Sequence, residues 1–188
     1  MRKLTEKQGS ILLKIARAAI GKKLGEALSP PQENDPVLDE AGGTFVTLKI
    51  DNRLRGCIGN IEPVRSLRDG VRDNALNAAF EDYRFSPLSR EEFDEVEISL
   101  SVLTPASRLS YTDSKDLLKK LRPGVDGVIL RHGVRSATFL PQVWEQLPET
   151  EQFLSHLCQK AGLSKECWKG GEVEVYIYQV QSFTENEQ

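Results

Sequence analysis

The chain has 188 residues, 39% of them hydrophobic and 28% charged, which is the balance of a globular protein and excludes disordered, collagenous and fibrous classes. Its formal net charge of -3 removes any global basic field that would draw it to nucleic-acid phosphates, although a local patch stays open. No stretch approaches the roughly 18 apolar residues needed to span a bilayer.

Thr5 followed by Gln8 matches a capping box, and Ile11, Leu12, Ile15, Ala16, Ala19 and Ile20 then recur at helical spacing. The prolines of Leu28–Pro36 cannot continue that helix, so this segment is a loop leading into a β region. Thr44–Ile50 alternates and is rich in β-branched residues, hence a strand. Asp51-Asn52 suits a two-residue hairpin turn because both residues tolerate positive φ, with Arg53 to Ile58 as the return strand. A helix is predicted from about Ser66 to Phe80, with Leu67, Val71, Ala75, Leu76 and Ala79 on one stripe. Glu81–Leu88 reads as a polar turn without regular structure.

Val96, Ile98, Leu100 and Val102 mark one buried face of a strand over Glu95–Leu103. A short helix follows from Asp113 to Leu121, ended by Pro123-Gly124, and Gly127–Arg131 turns at His132-Gly133 into Ser136–Leu140. Thr150 is placed to cap a helix through about Ala161, with Phe153, Leu154 and Leu157 inward and Gly162 as its stop. Val173–Val180 alternates and closes the chain as a strand. Helices and strands mix without regular βα alternation, which gives an α+β fold with a largely antiparallel or mixed sheet and flanking helices. A single domain over 1–188 is expected.

The three cysteines, Cys57, Cys158 and Cys167, are an odd and sparse set, and the residues from Met1 to Gln8 lack a signal peptide's apolar core. This pattern reads as free thiols in a reducing compartment, the cytoplasm. A zinc site from His156, Cys158 and Cys167 lacks the paired spacing of structural sites, so no metal is expected. No Walker loop, GxGxxG, HExxH or GxSxG occurs, and no cofactor is assigned. His132 reads as a solvated turn residue.

The chemistry-bearing segment is Leu54-Arg55-Gly56-Cys57-Ile58-Gly59. Strand alternation places Arg55, Cys57 and Gly59 on one face and Leu54, Gly56 and Ile58 on a core face. Residues two apart have Cα atoms about 6.5 Å apart, near enough for the Arg55 guanidinium to favour a Cys57 thiolate. Gly56 and Gly59 permit close approach by a ligand or another backbone. The alternative is that Cys57 is a small buried hydrophobe in a tight strand. Glu97, opposite Val96 and Ile98, is a candidate general base or a solvated strand residue, and Asp82 and Arg84 either bind a polar ligand or anchor their turn by a salt bridge.

The same six residues are identical to the signature of the AMMECR-type domain family. Ala78–Leu88, Gly127–Leu130 leading to Thr138–Trp144, and Phe153-Leu154 through Lys160–Leu163 also resemble it, so the likeness spans about Leu4 to Phe183. Tyr83 is a departure, because prokaryotic members often carry proline there. The resemblance implies an α/β or α+β fold with a larger and a smaller lobe. It also implies action beside a Memo-type protein and a radical S-adenosylmethionine enzyme. By position it supports Arg55, Gly56, Cys57 and Gly59 as site residues, with Asp82, Arg84 and Glu97 matching more weakly. Two functions remain open: an enzyme or covalent carrier using the Cys57 thiolate, or a binding module whose motif face docks a protein or metabolite.

Overall fold

The computed structural model describes residues 3–185; Met1, Arg2 and residues 186–188, the extreme ends of the span expected to form one domain, lie outside the described residues. The described chain divides into two units, one running to Pro105 and resuming at Gln181, the other spanning Ala106–Val180.

The first unit begins with α1 (Glu6–Lys23). Its start follows the sequence signal: the Gln8 N–H donates to Thr5 Oγ1 while the Thr5 N–H donates to Gln8 Oε1. Strands β1 (Gly43–Ile50) and β2 (Arg53–Asn60) form an antiparallel hairpin. Asp51 and Asn52 at its tip have φ of 50° and 60°, the left-handed pair that matches the twist of a two-residue hairpin. Ser66 caps α2 (Leu67–Phe80). Glu81–Leu88 forms no regular structure, as expected; the residues after it, to which no element was assigned, form a short helix, α3 (Arg90–Glu95), capped reciprocally by Ser89 and Glu92, and β3 (Glu97–Leu103) follows.

The second unit carries β4 (Ser107–Arg108), α4 (Ser114–Lys120), β5 (Gly127–His132), β6 (Arg135–Phe139), α5 (Thr150–Lys160) and β7 (Glu174–Tyr178). Its sheet has the order β4-β7-β5-β6. Phe153, at the centre of its core, stacks on Trp144 at 3.6 Å and meets Phe139 edge-on at 5.2 Å. Glu149 rather than Thr150 is the residue before α5, and it makes no side-chain capping bond. Cys158 and Cys167 are joined in a disulfide, which corrects the expectation of free thiols. Gly162, at φ 71°, reverses the chain after α5, and the returning loop carries Cys167 back to the helix. This pairing removes the support that free thiols lent to a reducing compartment.

The closing strand also differs from expectation. Its alternation continues past Tyr178, yet β7 ends there and β8 (Val180–Thr184) joins the first unit, whose sheet order is β2-β1-β3-β8. Both sheets are antiparallel, and the fold is α+β. In the first unit α1 and α2 bury one sheet face, with Val46, Leu48, Ile98, Leu100 and Val102 beneath them. Each such aliphatic side chain contributes about 1.5–3 kcal/mol when fully buried. Buried Asn74 on α2 donates from Nδ2 to the Thr44 carbonyl (3.0 Å) and to Asn60 Oδ1 (2.9 Å), which ties the helix to the ends of the hairpin. No helix among the described residues is long and apolar enough to cross a membrane.

Candidate functional site

The motif Leu54–Gly59 lies on β2, an edge strand of its sheet. The pairing with β1 breaks between Leu48 and Lys49: Leu48 faces Gly56 while Lys49 faces Leu54, so Arg55 is left without a cross-strand partner. This is a bulge, and it cancels the period-2 alternation at that point. Two expectations are corrected as a result. Leu54 is 43% exposed rather than part of the core face, and Arg55 does not share an outward face with Cys57.

Arg55 is buried instead. Its Nε and Nη2 donate to Glu92 Oε1 and Oε2 at 2.8 and 2.9 Å, and Nη2 also donates to the Ser86 carbonyl at 2.8 Å. Glu92 accepts the Ser89 N–H in the capping of α3, so one carboxylate serves both the helix start and the buried guanidinium. Arg55, followed by the Ser89 amide, holds the Glu92 carboxyl below the usual carboxylate range, against the opposing effect of burial.

Beyond the bulge regular pairing resumes, with Thr47 opposite Cys57. The half-buried Cys57 sulfur lies 3.2 Å from Thr47 Oγ1. The Cys57 N–H and C=O point to the outer edge of the sheet, away from β1. There the N–H donates to Asp82 Oδ2 (2.9 Å) and the C=O accepts from Arg84 Nη2 (3.3 Å). Asp82 and Arg84 also grip each other in a fork, Nε to Oδ1 at 2.9 Å and Nη2 to Oδ2 at 2.6 Å. The Asp82 side chain is buried while Arg84 keeps 42% of its side chain exposed. The hydrogen bond from Arg84, with further donation by the Cys57 and Arg84 backbone, holds the Asp82 carboxyl far below its ordinary value although burial opposes this, and Asp82 in turn raises Arg84. Phe85 lies within reach of both guanidiniums, 5.7 Å from that of Arg55 and 5.5 Å from that of Arg84. Tyr83, between the clamping residues, is 94% exposed.

The two motif glycines serve packing. A Cβ at Gly56 would lie 2.1 Å from the Ala78 carbonyl oxygen of α2, and one at Gly59 would lie 2.2 Å from the Phe45 ring. Of the openings anticipated for them, the approach of other parts of the chain is the one observed. Glu97 opens β3 opposite Lys49, whereas the row through Cys57 runs to Thr47 and Ser99. From strand spacing and rise, Glu97 and Cys57 are separated by about 12 Å between Cα atoms. Arg55, Glu92, Asp82, Arg84 and Cys57 therefore come together around one turn, and Glu97 stands apart.

Among the described residues no histidine or carboxylate hydrogen-bonds the Cys57 sulfur. His132 sits on the β5–β6 hairpin, 3.7 Å from Glu172, and His156 is on the exposed side of α5. Sequence reasoning missed Glu92 and Thr47. Ser89 and Glu92 have the spacing of a capping box and were a usable signal for the first; nothing in the sequence pointed to the second.

A family model described as AMMECR1 matches residues 13–183. Protein MK0488 of Methanopyrus kandleri is 40% identical, covering 98% of this chain and 92% of that one. Protein MJ0810 of Methanocaldococcus jannaschii is 36% identical over 100% of this chain and 94% of its own. The crystal structure of PH0010 from Pyrococcus horikoshii, described as an uncharacterized protein, superposes with a TM-score of 0.88 at 35% identity, covering 98% of this chain and 95% of that one. None of these names states an activity.

Proposed function

The chain belongs to the AMMECR1 family, and on that premise we propose that it is a binding module, with the outer edge of β2 and its clamping turn as the docking face. The observation that carries this reading is that the charged groups around Cys57 are committed to one another. Arg55 is held by Glu92 and Arg84 by Asp82, while the sulfur contacts a hydroxyl. A thiol nucleophile needs a base or a cation free to respond to its charge, and these pairings spend both cations on structure. The same pairings hold Tyr83 outward on a turn pinned at both sides, the kind of preorganised aromatic anchor that protein interfaces favour. The proposed partners are the Memo-type protein and the radical S-adenosylmethionine enzyme that the family resemblance implies.

The competing reading, covalent work by Cys57 with Arg55 and Glu97, draws on the half-buried free thiol. Capture of the two purified partners by immobilised full chain separates the readings. Docking requires that Cys57→Ser retain capture and that Tyr83→Ala, which leaves the clamp untouched, weaken it about tenfold or more. Loss of capture with Cys57→Ser, together with full retention by Tyr83→Ala, overturns the docking reading.

A further inference from the structure

A second candidate site lies wholly within the Ala106–Val180 unit. Strand β4 pairs with β7 for only two residues, Ser107 with Ile177 and Arg108 with Tyr176, and the Leu109 N–H adds one more bond to the Val175 carbonyl. The chain then peels away from β7. At the position where a further backbone donor would reach the Val173 carbonyl, the Tyr111 hydroxyl donates to it instead, at 2.7 Å. A tyrosine side chain is far longer than a peptide N–H, so it holds the two segments apart. The result is a cleft of about 500 Å³ between residues 108–114 and 169–175, a size typical of small-molecule sites.

The cleft's charges are arranged in opposition. Arg108 and Glu174 form an ion pair across it at 3.0 Å, near the sheet. Farther along, one wall presents Asp113 and the other presents Lys169. Asp113 uses Oδ1 to accept the Asp116 N–H, and Lys169 reaches Glu166 at 3.3 Å in a pair with both side chains substantially exposed. Such an exposed pair contributes little and exchanges readily for a ligand group. Four lining charges that sum to zero give no field to gather a simple anion or cation. A carboxylate on one wall and an ammonium on the other match a ligand carrying both signs at separate points. The geometry points to this cleft as a binding site for a small zwitterion of amino-acid or dipeptide size, with its ammonium at Asp113 and its carboxylate at Lys169.

Isothermal titration calorimetry on the full chain, with the proteinogenic amino acids and the unprotected dipeptides glycylglycine and alanylphenylalanine as probes, tests the assignment, and amide chemical shifts locate any binding. At least one zwitterion binds, with shifts centred on residues 108–114 and 169–175. N-acetylation or C-amidation of that probe weakens it about tenfold or more, as do Lys169→Gln and Asp113→Asn. Asparagine still caps a helix, so loss in Asp113→Asn reports the charge and not the fold. The proposal is overturned if no probe binds at about 10 mM, if doubly blocked probes bind as well as free ones, or if both variants bind like the parent chain.

Discussion

Gly56→Ala puts the motif's packing to a direct test. The added Cβ would lie 2.1 Å from the Ala78 carbonyl oxygen, where a carbon–oxygen contact needs about 3.3 Å, so strand and helix must separate by about 1 Å. Neither yields easily. Val71 and Ala75 of α2 are fully buried, and Asn74 binds that helix to both strands at the open end of the hairpin. Overpacking a backbone contact of this kind costs about 3 kcal/mol, the upper end of its usual range. Alanine restores up to about 1 kcal/mol by restricting the unfolded chain. The net loss is then about 2 kcal/mol, a fall in melting temperature of about 4–8 °C for a chain of this size. Urea unfolding followed by circular dichroism measures the loss, and faster amide exchange in β2 and α2 shows that it arises at their contact. The effect needs no ligand. A loss below about 0.5 kcal/mol, with exchange unchanged, would refute the argument that this glycine exists to admit the helix backbone.

The ion pairs make their own predictions. Asp82→Asn costs about 1–2 kcal/mol, reduced from a fully buried pair because Arg84 returns its charge to water. Because the folded Asp82 carboxyl is depressed, its contribution is complete above the unfolded value of about 3.9 and drains away as pH falls below it. Urea midpoints of parent and variant therefore separate near neutrality and draw together in acid, and a constant gap contradicts the assignment. Arg55→Lys loses the fork to Glu92 and costs about 1–2 kcal/mol. In the same variant the Glu92 carboxyl, now held low chiefly by Arg55, titrates at higher pH by carbon NMR; an unmoved titration would show that the pair is not formed in solution. Without reductant the native chain takes up maleimide at Cys57 alone, and unfolding with reductant exposes all three cysteines. Mass spectrometry counts the adducts, and native labelling of Cys158 or Cys167 would contradict the disulfide.

Much of the fold was readable because local rules and the final structure agree. Thr5 and Gln8 start α1, Asp51-Asn52 turns the first hairpin, and Phe153, Leu154 and Leu157 face inward from α5. Errors arose where a short-range pattern met a long-range constraint. One extra residue at Arg55 shifted the face of every side chain N-terminal to it on β2, and alternation cannot reveal a bulged arginine whose half-buried carboxylate partner, Glu92, lies thirty-seven positions away. The alternating run Val173–Val180 continues smoothly in sequence but is divided between two sheets. The disulfide depends on a chain reversal at Gly162 that cysteine spacing does not encode. For the candidate site, Asp82 and Arg84 were legible as a possible pair; their hold on the Cys57 backbone was not, because it requires knowing which strand lies at the margin.

That hold has a consequence for how copies of this chain behave together. A marginal strand offers bare amide and carbonyl groups to any extended segment it meets, the common route to domain swapping and fibrillar aggregation. Here Asp82 and Arg84 occupy the donor and acceptor at Cys57 as a surrogate for a fifth strand. A chain stripped of both side chains would offer that site to its neighbours and polymerise during storage or refolding, so the turn guards solubility whatever else it binds.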